Sequence, residues 1–186
     1  MTSEEVFLVV LDAMSDLQIP YMVVGSFSSN FYGISRSTND ADLVVSLGSS
    51  SIGKIAQRLG TEFHLDPLAR FETITATTKY VFDLPQIPFT VEFFLLSDDP
   101  HDQERFRRRL PVQLLGHDAW LPTAEDVVIM KLRWAASRKK GKDSDDICNV
   151  LGVSGHLLDW SYIYSWCDQH GTRQLLDSLR ASIPEG

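Results

Sequence analysis

An α/β fold of the α+β kind, a mixed β-sheet core flanked by helices with a helical region behind it, is predicted by three features of this 186-residue chain. Short β-prone runs alternate with helix-period segments up to about residue 120. From Thr123 onward only helical signals follow. An apolar content of 44% with 23% charged residues is enough for a substantial core. The sequence therefore divides into an α/β core, 1–122, and a helical region packed on it, 123–186.

The elements follow in order. Ser3 is placed to cap a first helix, with Glu4 and Glu5 in its opening turn and Val6, Val9, Val10, Met14 and Leu17 on its apolar face. Pro20 separates it from Tyr21, Met22, Val23 and Val24, an apolar and β-prone run that reads as a buried strand. Gly25-Ser26 breaks that strand, and a short helix is predicted to end at Gly33. A second strand covers 40–45. The serines at 49–51 then cap a helix through Leu59, stopped by Gly60.

Three branched and aromatic runs, 71–75, 79–84 and 90–96, read as strands, with Pro85 and Pro88 between them. Asp98-Asp99-Pro100 opens a helix to about Arg109, and 111–115 and 119–121 are short extended pieces. Thr123 with Asp126 approximates a capping box for a helix through Arg138. Helices over 143–151, 157–169 and 172–182 complete the chain, separated by Gly141, by 152–155 and by Gly171.

Charge narrows the function. The formal net charge of −8 argues against a general DNA-coating role. All of it falls in residues 1–100, with 5 basic against 13 acidic side chains, whereas residues 101–186 carry 12 of each. The basic residues cluster at Arg105, Arg107, Arg108 and Arg109 and again at Arg138, Lys139, Lys140 and Lys142. Cys148 and Cys167 lack metal-ligand spacing and read as reduced thiols, and the five histidines form no metal motif. The acidic first residues and the lack of a long apolar run predict a cytoplasmic protein with no membrane association.

The chemistry concentrates between residues 24 and 43. Strand side chains alternate faces, so Asp40 and Asp42 share one face while Ala41 and Leu43 point into a core. Two such carboxylates repel each other unless a cation lies between them. Hard oxygen donors beside a Gly-Ser turn and a helix N-terminus suit Mg²⁺ and a phosphate chain. Glu92, alone in the apolar run 90–96, either sits at an exposed rim or joins that pair at one or two ions.

Val24-Gly25-Ser26, a spacer of 13 residues, then Asp40-Ala41-Asp42-Leu43 resembles the signature of the nucleotidyltransferase superfamily, polymerase-β-like. Glu92 matches that family's third acid. The resemblance implies that Gly25 and Ser26 meet the nucleotide's phosphates while Asp40, Asp42 and Glu92 bind Mg²⁺ and activate an acceptor hydroxyl. It implies an NTP substrate, a transferred nucleoside monophosphate and released pyrophosphate. The acceptor stays open among RNA, protein and small molecules.

A second match covers Lys131 to Arg138 and the run Lys142-Asp143-Ser144-Asp145-Asp146. It is similar to minimal bacterial nucleotidyltransferases of abortive-infection and toxin–antitoxin systems, which implies nucleotide binding by Lys131 and Arg138 and an antitoxin-like partner. Lys131 and Arg138 are two helical turns apart and share a face, so the geometry agrees. Asp143 and Asp146 are placed to orient those cations or to serve as helix-start acids. Arg36 and Asn39 lie in the spacer, within reach of a nucleotide. The competing class is a catalytically inactive module that binds nucleotide or a partner.

Overall fold

The computed structural model describes residues 1–138 and 141–183, and the side chain of Arg138 lies outside them, as do Lys139 and Lys140. The order of elements is α1 (Ser3–Asp16), β1 (Tyr21–Val24), α2 (Gly25–Tyr32), β2 (Asp40–Val45), α3 (Ile52–Leu59), β3 (His64–Leu65), β4 (Arg70–Glu72), β5 (Thr77–Asp83), β6 (Thr90–Leu95), α4 (Pro100–Arg108), β7 (Leu110–Leu114), β8 (His117–Leu121), α5 (Ala124–Arg138), α6 (Gly141–Ser154), α7 (Trp160–His170) and α8 (Arg173–Ser182). Six strands form a mixed sheet in the order β1-β2-β6-β5-β3, with β4 also on β5. β2 and β6 run parallel and the other pairs are antiparallel. This is the α+β class. Among the described residues no helix is long and apolar enough to cross a membrane.

The two faces of the sheet differ because its strands alternate. Tyr21, Val23, Ala41, Leu43, Val45, Val91 and Phe93 join one core with α1 and α3, where Phe7 stacks on Phe27 at 4.2 Å. Met22, Val24, Val44 and Phe94 face the other way and meet Phe106 of α4 in a small cluster. That second face carries Asp40, Asp42 and Glu92. A separate core of Val128, Ile129, Leu132, Ile147, Ile163 and Leu176 fills α5 to α8. Tyr32 packs against both large cores, and its hydroxyl donates to the Pro122 carbonyl at 2.9 Å.

Local chemistry moves several boundaries. Thr2, not Ser3, caps α1, because the Glu5 side chain reaches back to the Thr2 N–H at 2.7 Å and closes a capping box. Ser51 caps α3, and Asp99 caps α4 with Pro100 in its first turn. Gly141 is the first residue of α6, at the expected boundary with α5, whereas Gly152 lies inside α6 and does not end it. The extended pieces after α4 are a hairpin, turned at Leu115 and Gly116 with φ of 52° and 80°. Cys148 and Cys167 are both free thiols.

A buried polar network joins α4, α5 and α7. Asp126 meets His101 Nε2 at 3.1 Å and accepts from Tyr162 at 2.7 Å, Thr123 at 2.9 Å and Arg108 at 3.3 Å. Burial raises the Asp126 carboxyl, but the His101 and Tyr162 hydrogen bonds outweigh it and hold the group below the usual carboxylate range. Tyr162→Phe removes one charge-assisted bond and keeps the ring under Arg108. It is expected to lower stability by about 1–2 kcal/mol in urea denaturation. An unchanged midpoint would show that this hydroxyl contributes nothing.

Candidate active site

Asp42 lies opposite Glu92 in the parallel β2–β6 pair, and Val24, the last residue before the turn, lies opposite Asp42 in the β1–β2 pair. Residues paired in register share a face, so Asp40, Asp42 and Glu92 emerge together beside the Gly25 turn. Gly25 is held at φ +64°, and a Cβ there would stand 2.9 Å from the Asp42 Cγ and closer still to Oδ2. Only glycine combines that left-handed backbone with such close approach. The turn opens directly into α2, whose first N–H groups have no helical partner. The Ser28 hydroxyl donates to the Gly25 carbonyl at 2.9 Å and fixes the first turn.

Cations approach from three sides. Lys79 on β5 reaches Glu92 Oε2 at 2.7 Å. Lys131 on α5 sits 3.0 Å from Asp143 and 2.7 Å from Asp146. Arg36, in the loop before β2, makes a fork to Asp146 at 2.6 and 2.8 Å and donates to Ser26 Oγ at 2.9 Å. Asp40 and Asp42 receive no comparable ion pair among the described residues. Asp40 is hydrogen bonded by the Thr38 hydroxyl.

Burial first, then the charges of Glu92 and Asp40, push the Asp42 carboxyl up to about 7, although Lys131 and Lys79 pull against them. Asp42 is thus a half-buried acid beside two other carboxylates, with no ion-pair partner of its own among the described residues. A cavity of about 310 Å³ opens over it, lined by Gly25, Ser26, Asp40, Asp42, Glu92 and Lys131. Glu72, Thr75, Lys79, Arg105, Trp134 and Asp143 are among the other residues of its walls.

Of the residues singled out by sequence, Gly25, Ser26, Asp40, Asp42, Glu92 and Lys131 line one cavity. The Arg138 side chain lies outside the described residues. Lys79, Glu72 and Arg105 line the same cavity without having been anticipated there. Lys79 was findable only through its position opposite Phe94, two pairs from Glu92 and so on the same face, which needs the β5–β6 register. Glu72 carries no motif. It is buried under N–H groups of Ile74 and Thr75 at the β4–β5 turn.

Neither a protein-family model nor a curated protein matches this sequence. The fold, however, superposes on solved structures over most of its length. One is ANT(2'')-Ia in complex with adenylyl-2''-tobramycin, with a TM-score of 0.61, 12% identity, and 92% of this chain and 99% of that chain covered. The lincosamide antibiotic adenylyltransferase LnuA, lincomycin-bound, gives 0.57 at 10% identity over 81% and 97%. An antigenic nucleotidyltransferase-like protein from Paracoccidioides brasiliensis gives 0.50 at 20% identity over 97% and 94%. The chain has the nucleotidyltransferase fold.

Proposed function

We propose that this chain is a Mg²⁺-dependent nucleotidyltransferase that moves a nucleoside monophosphate from an NTP to a hydroxyl group and releases pyrophosphate. The observation that carries the reading is the pairing of Asp42 with Glu92 beside the Gly25 turn. Asp40 and Asp42 offer hard oxygen donors in a site short of positive charge. Mg²⁺ is held by one or two carboxylates and takes its remaining ligands from phosphates and water. The chemistry of Asp40 and Asp42 suits that ion; Glu92 is paired with Lys79, and among the described residues no group of three or more ligand side chains is already gathered to hold a metal. Bound there, the ion would supply charge neutralisation on the triphosphate.

The chain's own groups divide the remaining work. The α2 N-terminus at Gly25 and Ser26 faces the phosphates, and Lys131 neutralises charge that builds up as pyrophosphate leaves. The acceptor oxygen attacks the α-phosphorus, the bond to the bridging oxygen breaks, and the acceptor proton passes to a carboxylate at Glu92. Lys79 holds that carboxylate in place at 2.7 Å.

A small-molecule hydroxyl is the acceptor we favour over RNA or protein. The cavity is walled by α4, α5 and the β4–β5 turn, and two structures of the same fold carry an adenylylated tobramycin or lincomycin. Pyrophosphate release, measured with Mg²⁺, each NTP and a panel of polyhydroxylated small molecules, RNA 3′ ends and proteins, tests the reading. Turnover is expected with one acceptor and lost in Asp40→Asn and Asp42→Asn. Unchanged turnover in both variants would refute the assignment, and NTP binding without release across the panel would define an inactive binding module.

A further inference from the structure

Resting on the proposed function, we infer that Arg36 and Asp146 are positioning residues that lock the two phosphate-binding groups, Ser26 and Lys131, into one preorganised unit. The two groups come from different layers of the fold. Ser26 opens α2 above the sheet, and Lys131 projects from α5 in the helical layer. One carboxylate, Asp146 on α6 with a side chain 2% exposed, touches a cation from each side. Its Oδ2 accepts from both Arg36 and Lys131, at 2.8 and 2.7 Å.

Arg36 is itself pinned. The Asn30 side chain brackets its backbone, donating to the Arg36 carbonyl at 2.8 Å and accepting from its N–H at 3.1 Å. From that anchor the guanidinium donates to Asp146 through Nε and Nη2 and to Ser26 Oγ through Nη2. Because the Ser26 oxygen accepts this bond, its own hydrogen is left to donate toward the cavity, where a phosphate oxygen would lie. On the other side Asp146 and Asp143 together fix the ammonium of Lys131. A site whose donors are already ordered loses less entropy when the triphosphate binds.

The bridge makes a prediction that a purely structural role does not. Arg36→Ala and Asp146→Asn are each expected to raise KM for NTP about tenfold or more, the scale of one charge-assisted hydrogen bond. Arg36→Lys is not expected to rescue, since an ammonium cannot span the same fork. Coupling is the decisive readout. In a background already carrying Ser26→Ala and Lys131→Met, Arg36→Ala is expected to change NTP affinity less than twofold, because the groups it positions are gone.

Calorimetric titration of NTP with each folded variant measures these affinities. A full tenfold loss in the double-variant background would overturn the inference. If Arg36→Ala fails to fold, Asp146→Asn, which keeps the shape of the side chain, supplies the same cycle. Absence of NTP binding by the wild-type chain would instead overturn the proposed function, so the two failures are distinguishable.

Discussion

Asp42→Asn is expected to abolish pyrophosphate release while making the metal-free protein more stable at pH 8. Both effects follow from one carboxylate. Burial and the neighbouring acids push Asp42 up to about 7, against an ordinary value near 3.8. A carboxyl raised on folding binds its proton more tightly in the folded state. Below about pH 4 both states are protonated and there is no penalty. As pH climbs from about 4 to 7 the folded state progressively loses stability, and above pH 7 the loss is complete. At 1.36 kcal/mol per unit, reduced for partial solvent access, this is about 2–4 kcal/mol.

Asparagine removes the charge and with it that penalty, so the melting temperature of the variant should exceed wild type at pH 8 and match it near pH 4. Mg²⁺ with NTP should raise the wild-type melting temperature at pH 8 and leave the variant unmoved. Turnover should fall by at least about 10³-fold, the scale of several kcal/mol of charge stabilisation. A destabilised variant at pH 8 would mean that the carboxylate is neutralised by protein groups and has no need of a cation.

Gly25→Ala is the second large effect. The φ of +64° alone costs an alanine roughly 1–2 kcal/mol. The added methyl would also stand within 2.9 Å of the Asp42 Cγ and nearer to its oxygen, so Asp42 must turn away or the turn must move. Either shift displaces the Asp42 carboxylate relative to the Gly25 turn, the two groups to which the proposed function assigns the metal and the phosphates. Turnover is expected to drop by about 10²-fold, the scale of a misplacement near 1 Å, with a total loss of about 1–4 kcal/mol in denaturant unfolding. An active, fully stable Gly25→Ala would show that the close approach has no functional weight.

That Asp40, Asp42 and Glu92 share one face was partly readable in the sequence, for a physical reason. Asp40 and Asp42 are two apart on an apolar strand, and period-two alternation alone puts them on one face. Glu92 was readable as an acid that an apolar strand would not bury without a partner. What spacing could not provide was register. Parallel pairing of β2 with β6 across the intervening strands decides that Glu92 meets Asp42, and β5 pairing decides that Lys79 meets Glu92.

Elements whose ends depend on side-chain caps moved for similar reasons. Thr2 displaced Ser3 because the reciprocal bond from Glu5 fits one residue earlier. Gly152 read as a break, yet it lies in α6, whose apolar Ile147, Val150 and Leu151 are held in a core that outweighs glycine's weak helix preference. Arg36 stood in a loop with no periodicity to place it. Its contact with Asp146 arises only from α6 packing across α2, where Gly33 runs against the Asn149–Val150 backbone with no room for a side chain.

In the proposed function Asp40 and Asp42 hold a divalent ion against the triphosphate of a bound NTP. Electron paramagnetic resonance of Mn²⁺ with a non-hydrolysable NTP measures this directly. The wild-type chain should take up protein-bound Mn²⁺ only with the nucleotide present, and Asp40→Asn and Asp42→Asn should each abolish that uptake. Equal uptake by wild type and both variants would contradict the account.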